Sequence, residues 1–130
     1  MELAEPAEPL EPRYAPMLLL NLPDTAGRDA IEHAPPLGQW PDVVHVLSEA
    51  CAGIGFDESG RGLFEGADFS MTLDVGMSSS LPVWTVTIRG RGHSALDAAR
   101  RLAVSTGWRI FVPKHGAFLV VGHHETVVKR

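Results

Sequence analysis

The chain has 130 residues, 45% of them hydrophobic, and a net charge of −5, which fits one domain burying roughly two-thirds of the surface its unfolded chain exposes. Its single cysteine, Cys51, excludes an intramolecular disulfide and suits a reduced compartment. The N-terminus lacks the basic start and apolar stretch of a secretory signal, and the longest apolar run, residues 17–20, falls far short of the ~20 residues of a membrane span, so a cytoplasmic protein without membrane association is expected.

Charge is sorted along the chain. Residues 1–16 carry four Glu against one Arg, residues 17–88 ten acids against two Arg, and residues 89–130 eight Arg or Lys against two acids. Such sorting predicts two faces of opposite sign, the kind that select partners and steer association.

Residues 4–12 repeat Ala-Glu-Pro, Ala-Glu-Pro, Leu-Glu-Pro, a period that matches the three residues per turn of polyproline II. Residues 1–16 are therefore expected to form an acidic tail outside a domain over 17–130. Met17 to Leu22, bounded by Pro16 and Pro23, has the length and composition of a strand covered on both faces. Residues 23–39 hold three prolines and two glycines and read as an irregular connection, with one helical turn over 29–33. Pro41 as a first helical residue, Asp42 in the first turn, and Val43, Val46, Leu47 and Ala50 at helical spacing predict a helix over 41–52. The glycine-rich stretch 53–66 reads as loop, with room for a short edge strand at 62–64.

Phe69, Met71, Leu73 and Val75 alternate with Ser70, Thr72 and Asp74, a half-buried strand. A second alternation over 83–88 puts Trp84, Val86 and Ile88 on one face and predicts an antiparallel partner, with Trp84 and Trp108 as the largest core residues. Ser94 is placed to cap a helix over 94–106 that Gly107 closes. Residues 108–112 and 117–121 then form a hairpin about Pro113-Lys114-His115-Gly116. The order is βαββαβ plus one extra C-terminal strand, which predicts an α+β, ferredoxin-like sandwich: two helices on one face of a mainly antiparallel sheet. A secretion-chaperone-like arrangement is the second choice. The other face of the sheet, with Ser70, Thr72, Asp74, Thr85 and Thr87, meets water or a partner.

Candidate chemistry is sparse. His115, His123, His124 and Glu125 lack the tight spacing of a metal set, and adjacent side chains on extended backbone point apart, so no metal or cofactor is expected. Cys51 sits at the end of its helix, away from the N-terminus that activates thiols, and no constellation for catalysis is found. The first expectation is a non-enzymatic protein-binding module that meets a basic protein partner through an acidic set, Asp57, Glu58, Glu65, Asp68 and Asp74; the alternatives are phosphate or nucleic-acid binding through a basic set, Arg89, Arg91, Arg100, Arg101 and Arg109, or a small enzyme. Net negative charge and a sheet face without stacking aromatics disfavour nucleic acid. Monomer and homodimer both remain open.

The run Ala95-Leu96-Asp97-Ala98-Ala99-Arg100-Arg101-Leu102-Ala103-Val104-Ser105-Thr106-Gly107-Trp108-Arg109-Ile110-Phe111-Val112-Pro113, followed by His115-Gly116-Ala117-Phe118, resembles the helix, glycine-tryptophan turn and final hairpin of small bacterial immunity-type, toxin-neutralising proteins. The resemblance implies a small non-enzymatic protein that occupies another protein's surface. It transfers no binding residues.

Overall fold

A computed structural model describes residues 12–23 and 25–119. Residues 1–11, which hold the acidic repeat up to its last proline, and residues 120–130, including His123, His124 and Glu125, lie outside the described residues. The elements run β1 (Met17–Leu20), a 3-10 helix (Arg28–His33), α1 (Trp40–Ala50), β2 (Arg61–Gly66), β3 (Phe69–Asp74), β4 (Val86–Arg91), α2 (Ala95–Thr106), β5 (Arg109–Val112) and β6 (Ala117–Phe118). The strands form one antiparallel sheet in the order β2-β3-β4-β1-β5-β6. The class is α+β.

Strand alternation builds the core. Met17 and Leu19 of β1, Met71 and Leu73 of β3, Val86 and Ile88 of β4 and Ile110 of β5 join Val43 and Leu47 of α1 and Ala95, Ala99 and Leu102 of α2 in one buried cluster. Both helices thus lie on the same face of the sheet. The alanines of α2 let that helix sit close: Gly90 of β4 places a notional Cβ only 3.3 Å from the Ala95 methyl. Pro41 stands in the first turn of α1, and α2 ends at Gly107 in left-handed backbone, its N–H donating to the Ala103 carbonyl at 2.9 Å.

β1 is buried on its other face as well. Leu20, Leu22 and Ala34 form a second cluster with Leu18, Ala26, Ala30, Ile31, Phe111 and Phe118, so the chain after β1 folds back under the sheet and its 3-10 helix covers the β1-β5-β6 half. This segment was expected to be an irregular connection with one helical turn over 29–33, and the helical turn is there as the 3-10 helix Arg28–His33. Its alanines and isoleucine make it a cover instead.

Two further expectations are corrected. The sheet has two strands beyond the βαββαβ set rather than one, because residues 61–66 pair along their whole length with 69–74. Trp84 is 56% exposed and outside the core: β4 starts only at Val86, after Thr85 turns its hydroxyl to donate to the Leu19 carbonyl at 3.1 Å, so Trp84 never enters the alternation. Backbone pairing also reaches residues before β1, since Gly92 donates to the Pro12 carbonyl at 2.7 Å and Tyr14 to the Gly90 carbonyl at 3.0 Å.

Gly92 and Gly107 test the tightness of these joints. Both have positive φ, but a Cβ on Gly92 would fall 2.3 Å from the Asp68 carbonyl oxygen and 2.7 Å from the Phe69 Cα, whereas one on Gly107 meets nothing within 4 Å. Gly107→Ala should cost about 1 kcal/mol from backbone conformation alone. Gly92→Ala should cost roughly 3 kcal/mol or more, since backbone must move. Urea denaturation of the two variants measures the difference.

Candidate functional site

The face of the sheet opposite the helices divides at the boundary between β4 and β1. Across the strands, the register sets Arg61, Asp74, Thr87, Leu18, Phe111 and Phe118 in one row, polar up to Thr87 and apolar from Leu18 on. The apolar half is the one the 3-10 segment covers. No described element covers the polar half, which has a second row Leu63, Thr72, Arg89 and a third row Glu65, Ser70, Arg91. Uncovered polar sheet of this kind faces water or a partner.

Arg13 joins the third row through an irregularity in the chain. β1 pairs with β4 as Met17↔Ile88, but Arg13 lies opposite Arg91, so three residues, Tyr14, Ala15 and Pro16, face only Arg89 and Gly90. That is a bulge, placed where Pro16 lacks an N–H for the ladder. Without it, Tyr14 would stand opposite Arg91. With it, Arg13, Arg89 and Arg91 line one cleft of about 300 Å³ together with Leu63, Ser70 and Thr72. An adjoining hollow is lined by Arg61, Thr72, Asp74, Thr87 and Arg89. Arg61 pairs with Asp74 at 3.6 Å. Among the described residues, Arg13, Arg89 and Arg91 have no carboxylate within 4 Å.

The sequence-predicted acidic set does not gather. Asp57 and Glu58 lie in the turn before β2, near Asp74, while Glu65 and Asp68 flank the opposite end of the β2-β3 hairpin. Two of the carboxylates are engaged locally. Asp57 accepts from the Ser59 hydroxyl at 2.7 Å, the Ser59 N–H at 2.9 Å and the Arg61 N–H at 3.0 Å. These bonds, the Ser59 hydroxyl foremost and then the Arg61 N–H, hold its carboxyl below the usual carboxylate range. Asp74 accepts from the Gly76 N–H at 3.1 Å besides pairing with Arg61.

The basic set divides too. Arg89 and Arg91 share the cleft. Arg100 and Arg101 lie on α2, on the other side of the sheet, where Arg100 pairs with Asp97 at 3.2 Å. Arg109 stacks 3.9 Å over the Phe118 ring and donates to the Pro23 and Ala26 carbonyls at 3.3 and 2.6 Å, so it pins the covering segment to the sheet. The sequence reading missed Arg13 and Arg61. Arg61 alternates with Leu63 and Glu65, a signal hidden by the glycines at 62 and 66; Arg13 carries no such signal, because the bulge that places it is not a periodic feature.

Other chemistry gathers little support. Among the described residues no three His, Cys, Asp or Glu side chains group as a metal set, and His45 pairs with Glu49 at 3.3 Å on the exposed side of α1. No described helix is long and apolar enough to cross a membrane. Cys51 is 1% exposed, and burial pushes its thiol up to about 11, so it is protonated at neutral pH. Comparison of the chain with protein-family models, curated proteins and solved structures finds no match.

Two outcomes follow from these placements. Because the unfolded thiol ionises near 9 and the folded one near 11, stability should be full below pH 9 and fall by up to about 3 kcal/mol by pH 11; Cys51→Ala should remove that part of the slope in pH-dependent denaturation. Arg109→Ala should cost about 1–2 kcal/mol, with hydrogen exchange accelerated in residues 25–34 and unchanged in β3.

Proposed function

We propose that the protein is a non-enzymatic binding module whose working surface is the open β2-β3-β4 half of the sheet, and that its partner is a protein presenting acidic groups. The observation that carries this reading is the row of three guanidiniums, Arg13, Arg89 and Arg91, on an uncovered sheet face without carboxylate partners among the described residues. Like charges held together repel unless an anion joins them, and arginine forks suit carboxylate and phosphate. The acidic set supports an acidic docking surface less well, since it lies at two ends of a hairpin and Asp57 and Asp74 are engaged locally.

A protein partner is favoured over nucleic acid by the same face. Its outward positions on β2, β3 and β4 are Arg61, Leu63, Glu65, Ser70, Thr72, Asp74, Thr87, Arg89 and Arg91; Tyr14 is the one aromatic lining the cleft, where an RNA-binding sheet stacks two or three bases, and Glu65 and Asp74 oppose a run of phosphates. Two further proposals accompany this one. The inner strands β3-β4-β1-β5, antiparallel throughout, support a ferredoxin-like unit with β2 and β6 added at its edges. The immunity-type resemblance of residues 95–118 fits a protein that acts by occupying another protein, in a reduced cytoplasmic setting suited to the free Cys51.

Site-specific photo-crosslinking tests the surface. A crosslinker at Thr87 should capture a discrete protein from native-cell extract, one at Arg101 should not, and Arg89→Glu with Arg91→Glu should abolish the capture while Asp57→Lys with Glu58→Lys leaves it. Capture lost only on reversing the acids would assign the opposite surface.

A further inference from the structure

We infer that the cleft between Arg13, Ser70, Arg89 and Arg91 takes a single phosphate monoester, carried by a side chain of the partner protein. This rests on reading the open sheet half as the docking face, and deepens it.

Ser70 is the observation that points to a ligand. It is 5% exposed, the one buried polar or charged residue among those described, and its hydroxyl makes no hydrogen bond with any described residue. Buried hydroxyls are ordinarily paired. This one lines the arginine cleft, directly across from Arg91, so an oxygen acceptor seated between the guanidiniums would satisfy it.

Charge and shape favour phosphate over carboxylate. Three guanidiniums without a carboxylate partner among the described residues are poorly balanced by a monoanion, whereas a phosphate monoester brings close to two charges and three acceptor oxygens. Those oxygens suffice for arginine forks and the Ser70 hydroxyl together. A volume of about 300 Å³ holds the group with its first carbons, and Leu63, 54% exposed on the cleft wall, offers an apolar surface for them. Glu65 stands across from Ser70 on the outer side, exposed and without an ion pair to the three arginines. Its carboxylate limits the site to one phosphate, since a second would meet like charge.

The test is calorimetric titration of the full chain, in low-salt chloride buffer, with an arginine-free phosphoserine peptide, its unphosphorylated form and inorganic phosphate. The phosphopeptide should bind saturably, the unphosphorylated form should not, and inorganic phosphate should bind more weakly. Arg89→Gln and Arg91→Gln should each weaken the phosphopeptide about tenfold, and Arg101→Gln should leave it unchanged. Ser70→Ala should also weaken it about tenfold without lowering the melting temperature in phosphate-free buffer. A peptide that binds equally with and without its phosphate overturns the proposal, as does Ser70→Ala binding at wild-type strength. Inorganic phosphate binding as tightly as the phosphopeptide would make this a free-anion site and overturn the assignment to a protein-borne monoester. Partner capture at Thr87 that survives Ser70→Ala, together with absent phosphate binding, rejects the pocket and leaves the docking face standing; absence of both capture and phosphate binding in the unsubstituted protein rejects the face.

Discussion

Covering the central strand on both sides is the constraint from which the molecule's asymmetry follows. β1 is four apolar residues, Met17 to Leu20, hydrogen-bonded to a neighbour on each side, so its side chains need apolar cover above and below the sheet. The helices supply the upper cover. The lower cover comes from the chain immediately after β1, which packs on the β1-β5-β6 half. Arg109 makes that cover persist, since its guanidinium holds two loop carbonyls and a ring at once. The uncovered half is then obliged to be polar, and β2, β3 and β4 place threonine, serine, arginine and carboxylate there.

Periodic features were legible in the sequence because they are local. The alternation in 69–75, the helical spacing of Val43 and Leu47, and the glycine stop at Gly107 each need only a few neighbouring residues to be read, and the structure has them. What failed was decided by distant contacts. Thr85 donates to a carbonyl 66 positions away, and that bond ends the alternation that would have buried Trp84. The edge strand 61–66 was obscured because its inward side is mostly glycine: Gly62 sits where Ile54 and Phe56 leave space for no side chain, and Gly66 lies against the Phe69 ring. A strand whose buried face is made by its neighbours' side chains carries little hydrophobic signal of its own.

Charge sorted along the chain did not become charge sorted in space, and the pairing explains why. Antiparallel strands bring the acidic middle of the sequence against the basic end, so Asp74 of β3 lies across from Thr87 of β4 and beside Arg61 of β2, while Ser70 and Thr72 face Arg91 and Arg89. α2 carries Arg100 and Arg101 to the far side of the sheet, and β5 commits Arg109 to structure. The expected basic patch was thereby reduced to two members, and the expected acidic patch was parted by the length of a strand.

Arg13 restores the patch, and it does so through the least predictable element of the chain. An unbroken ladder from β1 would present Tyr14 across from Arg91, putting a phenol where a guanidinium now stands. Pro16 denies the ladder an N–H, the backbone takes up one extra residue, and pairing resumes with Arg13 opposite Arg91 and the Gly92 N–H on the Pro12 carbonyl. Gly92 tolerates this only because it has no Cβ to strike Asp68. Assembly of the three-arginine cleft is thus a consequence of backbone geometry at Pro16 and Gly92, two residues that carry no charge. A binding surface built this way is read from pairing, not from the order of its charges.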